Sequence, residues 1–268
     1  MEKTAPKRIW ELDFLRGFAI IMMVFDHLMY DLKSLPDWFG NFETIGNPVI
    51  EFLSRIALGY WFSLARKIGH PIFVAIFLIV SGISFNFSRN NLKRGLKFLV
   101  VALLISLVTF GIQWATGGSL RIGIMFGIIH MFAFATMLLW VLRKLWDNDL
   151  FILAVGFCII GLGIVLRFWE VQYVQNPTIW DIPAIILGTK GHGADYFGIA
   201  PYAGVIMVGS AIGHLLYPKA ESLLPRWDRG WNRPFLFAGR HSFLIFIVHQ
   251  VVIFSLVSAV MFILGYRM

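Results

Sequence analysis

The chain has 268 residues, 58% of them hydrophobic and 14% charged, with a formal net charge of +8. A mean hydropathy of +0.75 is more apolar surface than a soluble domain of this length needs, which excludes a soluble enzyme and points to an integral membrane protein. The single cysteine, Cys158, excludes an intrachain disulfide and a cysteine-rich metal site.

The opening MEKTAPKRIWE is polar and leads straight into an apolar run, so no cleavable signal is expected. That run, residues 12–32, reads LDFLRGFAIIMMVFDHLMYDL. Its apolar centre is flanked by Asp13 and Arg16 on one side and by Asp26, His27 and Asp31 on the other. Ionisable groups at membrane depth are costly and face a protein interior or a wet cavity. Arg16 and His27 fall on nearly the same helix face, about 16 Å apart along the axis, so a polar stripe runs along this helix. His27 has Tyr30 at i+3 and Asp31 at i+4. A carboxylate beside a histidine fixes its tautomer and raises its basicity, which suits a general base. The competing reading is a charge network that holds the helix in register. Arg16 either anchors a phosphate or simply pairs with Asp13.

Residues 48–67, PVIEFLSRIALGYWFSLARK, contain Glu51, Arg55 and Arg66 and predict an amphipathic helix on the outer surface, with a short buried eighth span as the alternative. Six further runs predict spans: residues 69–87, 96–114, 122–142, 150–166, 196–217 and 242–264. His70 is expected to open the second span, either at a site or solvated at the interface. Arg89, Lys93, Arg94 and Lys97 form a basic connection after it, and Thr116-Gly117-Gly118 makes a tight turn. His130 is the ionisable group of the fourth span, either a neutral helix-to-helix hydrogen bonder or a channel-lining residue. Asp195 and Tyr196 are expected to open the sixth helix, Asp195 as a cap or as part of a pocket. His192 and His214 read as bystanders. In the last span Ser242 and His249 share a face, with His241 and Gln250 beside them.

Basic residues fix an orientation. Lys3, Lys7 and Arg8, the Arg89–Lys97 connection, Arg143 and Lys144, and Lys219, Arg226, Arg229 and Arg233 all fall on one side, predicted to be cytoplasmic. The expected fold class is therefore all-α: a polytopic transmembrane bundle of seven spans, eight at most, in a single domain, residues 1–268, with the N-terminus cytoplasmic. The positive charge then serves topology and lipid headgroups, with no nucleic acid as partner. No metal-binding motif, phosphate loop or serine-hydrolase elbow is present.

Three stretches resemble the integral-membrane acyltransferase-3 superfamily: Leu12-Asp13 with Arg16-Gly17 and Ala19, followed by His27; IFLIVSGISF (residues 76–85); and GRHSFLIFIVHQ (residues 239–250). A closer resemblance is to bacterial relatives of heparan-α-glucosaminide N-acetyltransferase, carried also by IGHPIF (68–73), RIGIMFGIIHMFA (121–133) and DYFGIAPYAGVIMVGSAIG (195–213). The resemblance implies a multi-pass protein of the bacterial plasma membrane. It would move an acyl group, acetyl or other, from cytoplasmic acyl-CoA to a sugar amine or hydroxyl on the outer side. It places His27 and Arg16 at that superfamily's histidine and arginine. Better-studied enzymes of this kind have more spans, and their outer-loop histidine has His70 as its nearest counterpart here.

The combined expectation assigns His27 as general base oriented by Asp31, with His70 also catalytic, by direct transfer or through an acyl-histidine. Arg16, Arg89, Lys93 and Arg94 would hold the CoA phosphates. His130, Asp195, Tyr196 and His249 would line the acceptor pocket. Acyl-CoA is a co-substrate, no cofactor is resident and no metal is expected. Partners would be membrane lipids, a glycan or glycolipid acceptor, and a second copy of the chain as a possible homodimer. The rival reading is a small-solute or proton transporter or channel.

Overall fold

Apolar runs this long can satisfy their backbone groups within a bilayer only as helices. The computed structural model describes residues 8–118, 122–168, 171–193 and 195–268; Lys3 and Lys7 of the orientation argument, and Arg121 of the 121–133 stretch, lie outside them. Its helices are α1 (Trp10–Trp38), α2 (Phe42–Ile45), α3 (Pro48–Phe62), α4 (Leu64–Phe85), α5 (Asn91–Ala115), α6 (Ile128–Leu145), α7 (Asp149–Phe168), α8 (Ile182–Leu187), α9 (Tyr202–Leu216), α10 (Arg233–Arg240) and α11 (Ser242–Ile263). Among the described residues five helices, α4, α5, α6, α7 and α11, are long and apolar enough to cross a membrane. The 29-residue α1 carries too many charges to count with them, and the apolar α9 is short at 15 residues.

Three expected boundaries move, each for a local reason. Ser63 breaks the chain between α3 and α4: its hydroxyl donates to the Tyr60 carbonyl (2.7 Å) and accepts from the Arg66 amide (3.2 Å). Arg66 and Lys67 therefore ride on α4, and His70 lies inside that helix rather than at its start. The fourth expected span begins late, at Ile128. Side chains of α5 take up the backbone before it: Gln113 accepts from Gly123, Thr109 accepts from Ile124, and Ser106 donates to the Ile124 carbonyl. The sixth begins at Tyr202, not Tyr196. A two-residue parallel ladder, β1 (Gln172–Tyr173) with β2 (Lys190–Gly191), is the one departure from all-α architecture among the described residues.

The molecule divides into two compact units, Met1–Phe77 with Glu221–Met268, and Leu78–Ala220. In the first, α1 is the hub, with α3, α10 and α11 packed on it. Its core gathers Leu35, Phe39, Phe42, Ile50, Met261 and Tyr266. Trp10 and the buried Glu11 hold the 221–224 segment: Trp10 Nε1 donates to the Leu224 carbonyl (3.1 Å), and Glu11 accepts from Ser222 and the Leu223 amide. In the second, the end of α4 packs on α9 through Gly82 and Gly209, and α7 meets α9 through Gly156 and Gly204 and the preceding Pro201 through Gly163. Small residues let helices approach closely where lipid removes the hydrophobic drive between them.

The crossing of α1 and α10 is closer still. A Cβ on Gly17 would collide with the Phe235 carbonyl, and one on Gly239 with the Asp13 carbonyl. Both obstacles are backbone, so the helices themselves must separate. Gly239→Ala is expected to cost at least about 1–3 kcal/mol and to lower the melting temperature in detergent. Gly59→Ala, where nothing lies within 4 Å of the added methyl, is the matched control and should melt like the parent.

Candidate active site

Asp26 is a junction of three helices. It is buried on α1 and accepts a bidentate pair from Arg66 of α4, Nε to Oδ1 at 2.8 Å and Nη2 to Oδ2 at 3.1 Å. Tyr60 of α3 donates its hydroxyl to the same Oδ1 at 3.1 Å. His70 Nε2 stands 4.0 Å from Oδ2, an ionic approach rather than a hydrogen bond. The Arg66 guanidinium stacks on Trp61, 3.4 Å from its ring centre.

One residue on, half-buried His27 hydrogen-bonds through Nδ1 to the Met23 carbonyl (2.9 Å). A carbonyl only accepts, so Nδ1 carries the hydrogen and Nε2 is left with a lone pair. The expected orientation of His27 by Asp31 is not what forms. The carbonyl one turn back reaches Nδ1, and Asp31 accepts from Gln250 Nε2 of α11 at 2.9 Å. His249, beside Gln250 and buried, follows the same rule: Nδ1–H donates to the Phe246 carbonyl (2.7 Å) and Nε2 is enclosed without a partner. The two imidazoles meet edge to face, 4.7 Å between centres. His27, His70, His249 and Asp31 are therefore gathered around α1 in one unit.

At the far end of the same helix Asp13 collects arginines. Arg16 Nη1 donates to Oδ1 (3.2 Å), while Arg240 Nε lies 3.5 Å and Arg8 Nη1 3.8 Å from Oδ2. One carboxylate among three guanidiniums leaves net positive charge. The close α1–α10 crossing brings Arg240 there. Nothing in the spacing of the sequence singled out Arg240, because its place beside Asp13 depends on where α10 crosses α1.

The remaining expected residues belong to the second unit. His130 Nδ1 accepts from the Gly127 amide (3.2 Å), so Nε2 carries the hydrogen and donates to Ser106 (3.2 Å). Both ring nitrogens are engaged, the helix-to-helix arrangement, with no lone pair left for base chemistry. Asp195 caps α6 through the Ile128 amide (3.2 Å) rather than opening α9. Tyr196 donates to the Ile185 carbonyl (2.9 Å), and burial pushes its phenol above the ordinary range. Nearby, the Lys190 ammonium and then Thr178 hold the Asp181 carboxyl well below the usual carboxylate range. Arg89 and Lys93 are exposed at the start of α5, and Arg94 reaches the Ser84 carbonyl (3.4 Å). A network that sequence reasoning missed links Arg143 to Asp147, Asp149 and Ser210, Ser210 to Asn86, and Asp149 to His214. Its members lie on four different helices or their flanks, and no spacing rule connects them. Among the described residues no group of His, Cys, Asp and Glu could hold a metal ion.

A family model described as heparan-alpha-glucosaminide N-acetyltransferase, catalytic, matches residues 8–251. The chain belongs to this family. Comparison with curated proteins and with solved structures gives no significant match. The family is one of acetyltransferases, and the apolar helices make this member a multi-pass membrane protein. The match takes in most of both units, every residue of the Asp13, Asp26 and His27 clusters, and α11 as far as Val251.

Proposed function

We propose that this acetyltransferase moves an acetyl group from cytoplasmic acyl-CoA to an amine or hydroxyl of a cell-envelope glycan or glycolipid on the outer side. The observation that carries the reading is the tautomer of His27, whose Nε2 lone pair lies midway along a helix that bears an arginine cluster at one end. In this mechanism the acceptor N–H or O–H gives its proton to His27 Nε2 while its heteroatom attacks the thioester carbonyl. Collapse of the tetrahedral adduct breaks the C–S bond, and the proton on His27 goes to the departing CoA thiolate. His70 and His249 border the acceptor. An acyl-histidine route through the same Nε2 gives the same products.

In this reading α1 and α9 complete a set of seven spans with the N-terminus cytoplasmic, in the plasma membrane of a bacterium. The clustered arginines support binding of an anionic donor near Asp13. Arg89, Lys93 and Arg94 remain candidates for phosphate contact on charge alone. His130, Asp195 and Tyr196 are engaged by their own unit's framework, and the mechanism needs no contact from them.

Acetyl-CoA binding to the purified protein in detergent tests the proposal. The parent should bind, and Arg16→Ala should weaken binding about 10- to 100-fold, the worth of a charge-assisted contact. Arg16→Lys should recover only part, because a point charge replaces a fork. Unchanged affinity in Arg16→Ala would assign Arg16 to Asp13 alone. No binding by the parent, with no transfer to any envelope glycan, would favour a transporter.

A further inference from the structure

Asp31 differs from the other two acidic residues of α1 that anchor clusters. Asp13 and Asp26 face arginines; Asp31 is fully buried, and no ion pair among the described residues includes it. His27, one turn back on α1, is its titratable neighbour, and His249 adjoins its partner Gln250 on α11. Lys33 is turned to Ser34 and to the Tyr30 and Trp61 rings. Glu51 and Arg55 of α3 make no described ion pair with it. An ionised carboxylate enclosed this way is desolvated without an ion-pair partner to offset the cost.

The hydrogen-bond tally is odd in an informative way. Gln250 Nε2 donates to Asp31 Oδ1 at 2.9 Å. The other oxygen of each group, Asp31 Oδ2 and Gln250 Oε1, is enclosed without a partner. If Asp31 is ionised, both orphans are acceptors and neither can satisfy the other. They belong to one bonded pair, so a single proton on Asp31 converts one orphan into the donor that the other lacks. Buried polar groups are almost always satisfied, and this is the smallest change that does so here.

We infer that Asp31 is a neutral carboxylic acid, joined to Gln250 by two hydrogen bonds in a ring: Nε2–H to Oδ1, and Oδ2–H to Oε1. The ring fastens α1 to α11 one helical turn from His27 and next to His249. Asp31 is thus a positioning residue. It sets the α1–α11 register that holds the two imidazoles in contact. The positioning role rests on the base role proposed for His27; the protonation state does not.

Infrared spectroscopy of the purified protein in an ester-free maltoside detergent reads the acid directly. The parent at neutral pH should show a protonated-carboxyl C=O stretch that moves down in D2O and is missing from Asp31→Asn. In Gln250→Ala the band should persist at higher frequency, having lost its amide partner, which assigns it even if Asp31→Asn folds poorly. Asparagine can form the same two-bond ring, so Asp31→Asn should melt close to the parent. Asp31→Ala and Gln250→Ala should melt roughly 3–10 °C lower. Acetyl transfer should be greater in Asp31→Asn than in Asp31→Ala, because the neutral amide restores the register. Absence of a deuterium-sensitive carboxyl band in the parent would overturn the inference. So would a melting loss in Asp31→Asn as large as in Asp31→Ala. If no variant or parent transfers acetyl while the band is present, the acid stands and the proposed reaction fails.

Discussion

Replacing His27 with glutamine is expected to abolish acetyl transfer and to leave acetyl-CoA binding intact. Nδ1–H of His27 is held by the Met23 carbonyl, so the one atom free to take a proton is Nε2. Glutamine keeps a hydrogen-bonding group in the same space and can still donate to that carbonyl. It has no basic nitrogen, so the acceptor's proton has nowhere to go. Loss of a general base costs about 100- to 10,000-fold in rate. Donor binding should survive, because Arg16 lies about 16 Å and Asp13 about 21 Å along the helix from His27. The measurement is transfer from labelled acetyl-CoA in membranes containing each variant, alongside binding and melting of the purified protein. Transfer near the parent rate in His27→Gln would move the base role to His70, which lies beside Asp26.

The largest structural effect is expected at Arg66. Removing its guanidinium in Arg66→Met leaves Asp26, whose side chain is 10% exposed, with only the Tyr60 hydroxyl and the His70 ring 4.0 Å away. Breaking a buried pair from one side costs about 3–5 kcal/mol, because a desolvated charge is stranded. Removing the charge as well, in Asp26→Asn with Arg66→Met, should recover most of that loss. Arg66→Lys should recover little, since lysine can neither bridge both carboxylate oxygens nor stack on Trp61. Melting of the single and double variants in detergent supplies the cycle. A double variant no more stable than Arg66→Met would mean that the arginine acts through Trp61 packing and not through Asp26.

These two residues also mark how far the sequence could be read. Its hydropathy forced helices, because a chain in lipid has no other way to satisfy its amides. The charges within residues 12–32 identified α1 as a working helix before any contact was known, since lipid tolerates none of them without partners. The ordered blocks around Arg16, Gly82, His130, Asp195 and His249 carried the family resemblance. Which partners the charges chose was beyond any spacing rule. Within a helix i and i+4 suggested that Asp31 serves His27, but the carbonyl of Met23 was already in reach, and Asp31 turned to Gln250, 219 residues away in sequence. Asp26 likewise found Tyr60 and Arg66, which lie on the two sides of the break at Ser63. His130 and Asp195 each had two readings by position, a framework bond or a pocket role, and in the fold His130 bonds Gly127 and Ser106 while Asp195 caps α6. The sequence alone determined that this chain is helical, membrane-bound and polar at particular depths. Only the packing of α1 against α3, α10 and α11 decided which polar groups satisfy one another and which nitrogen is left with a lone pair, because hydrogen bonds between distant segments depend on where helices cross.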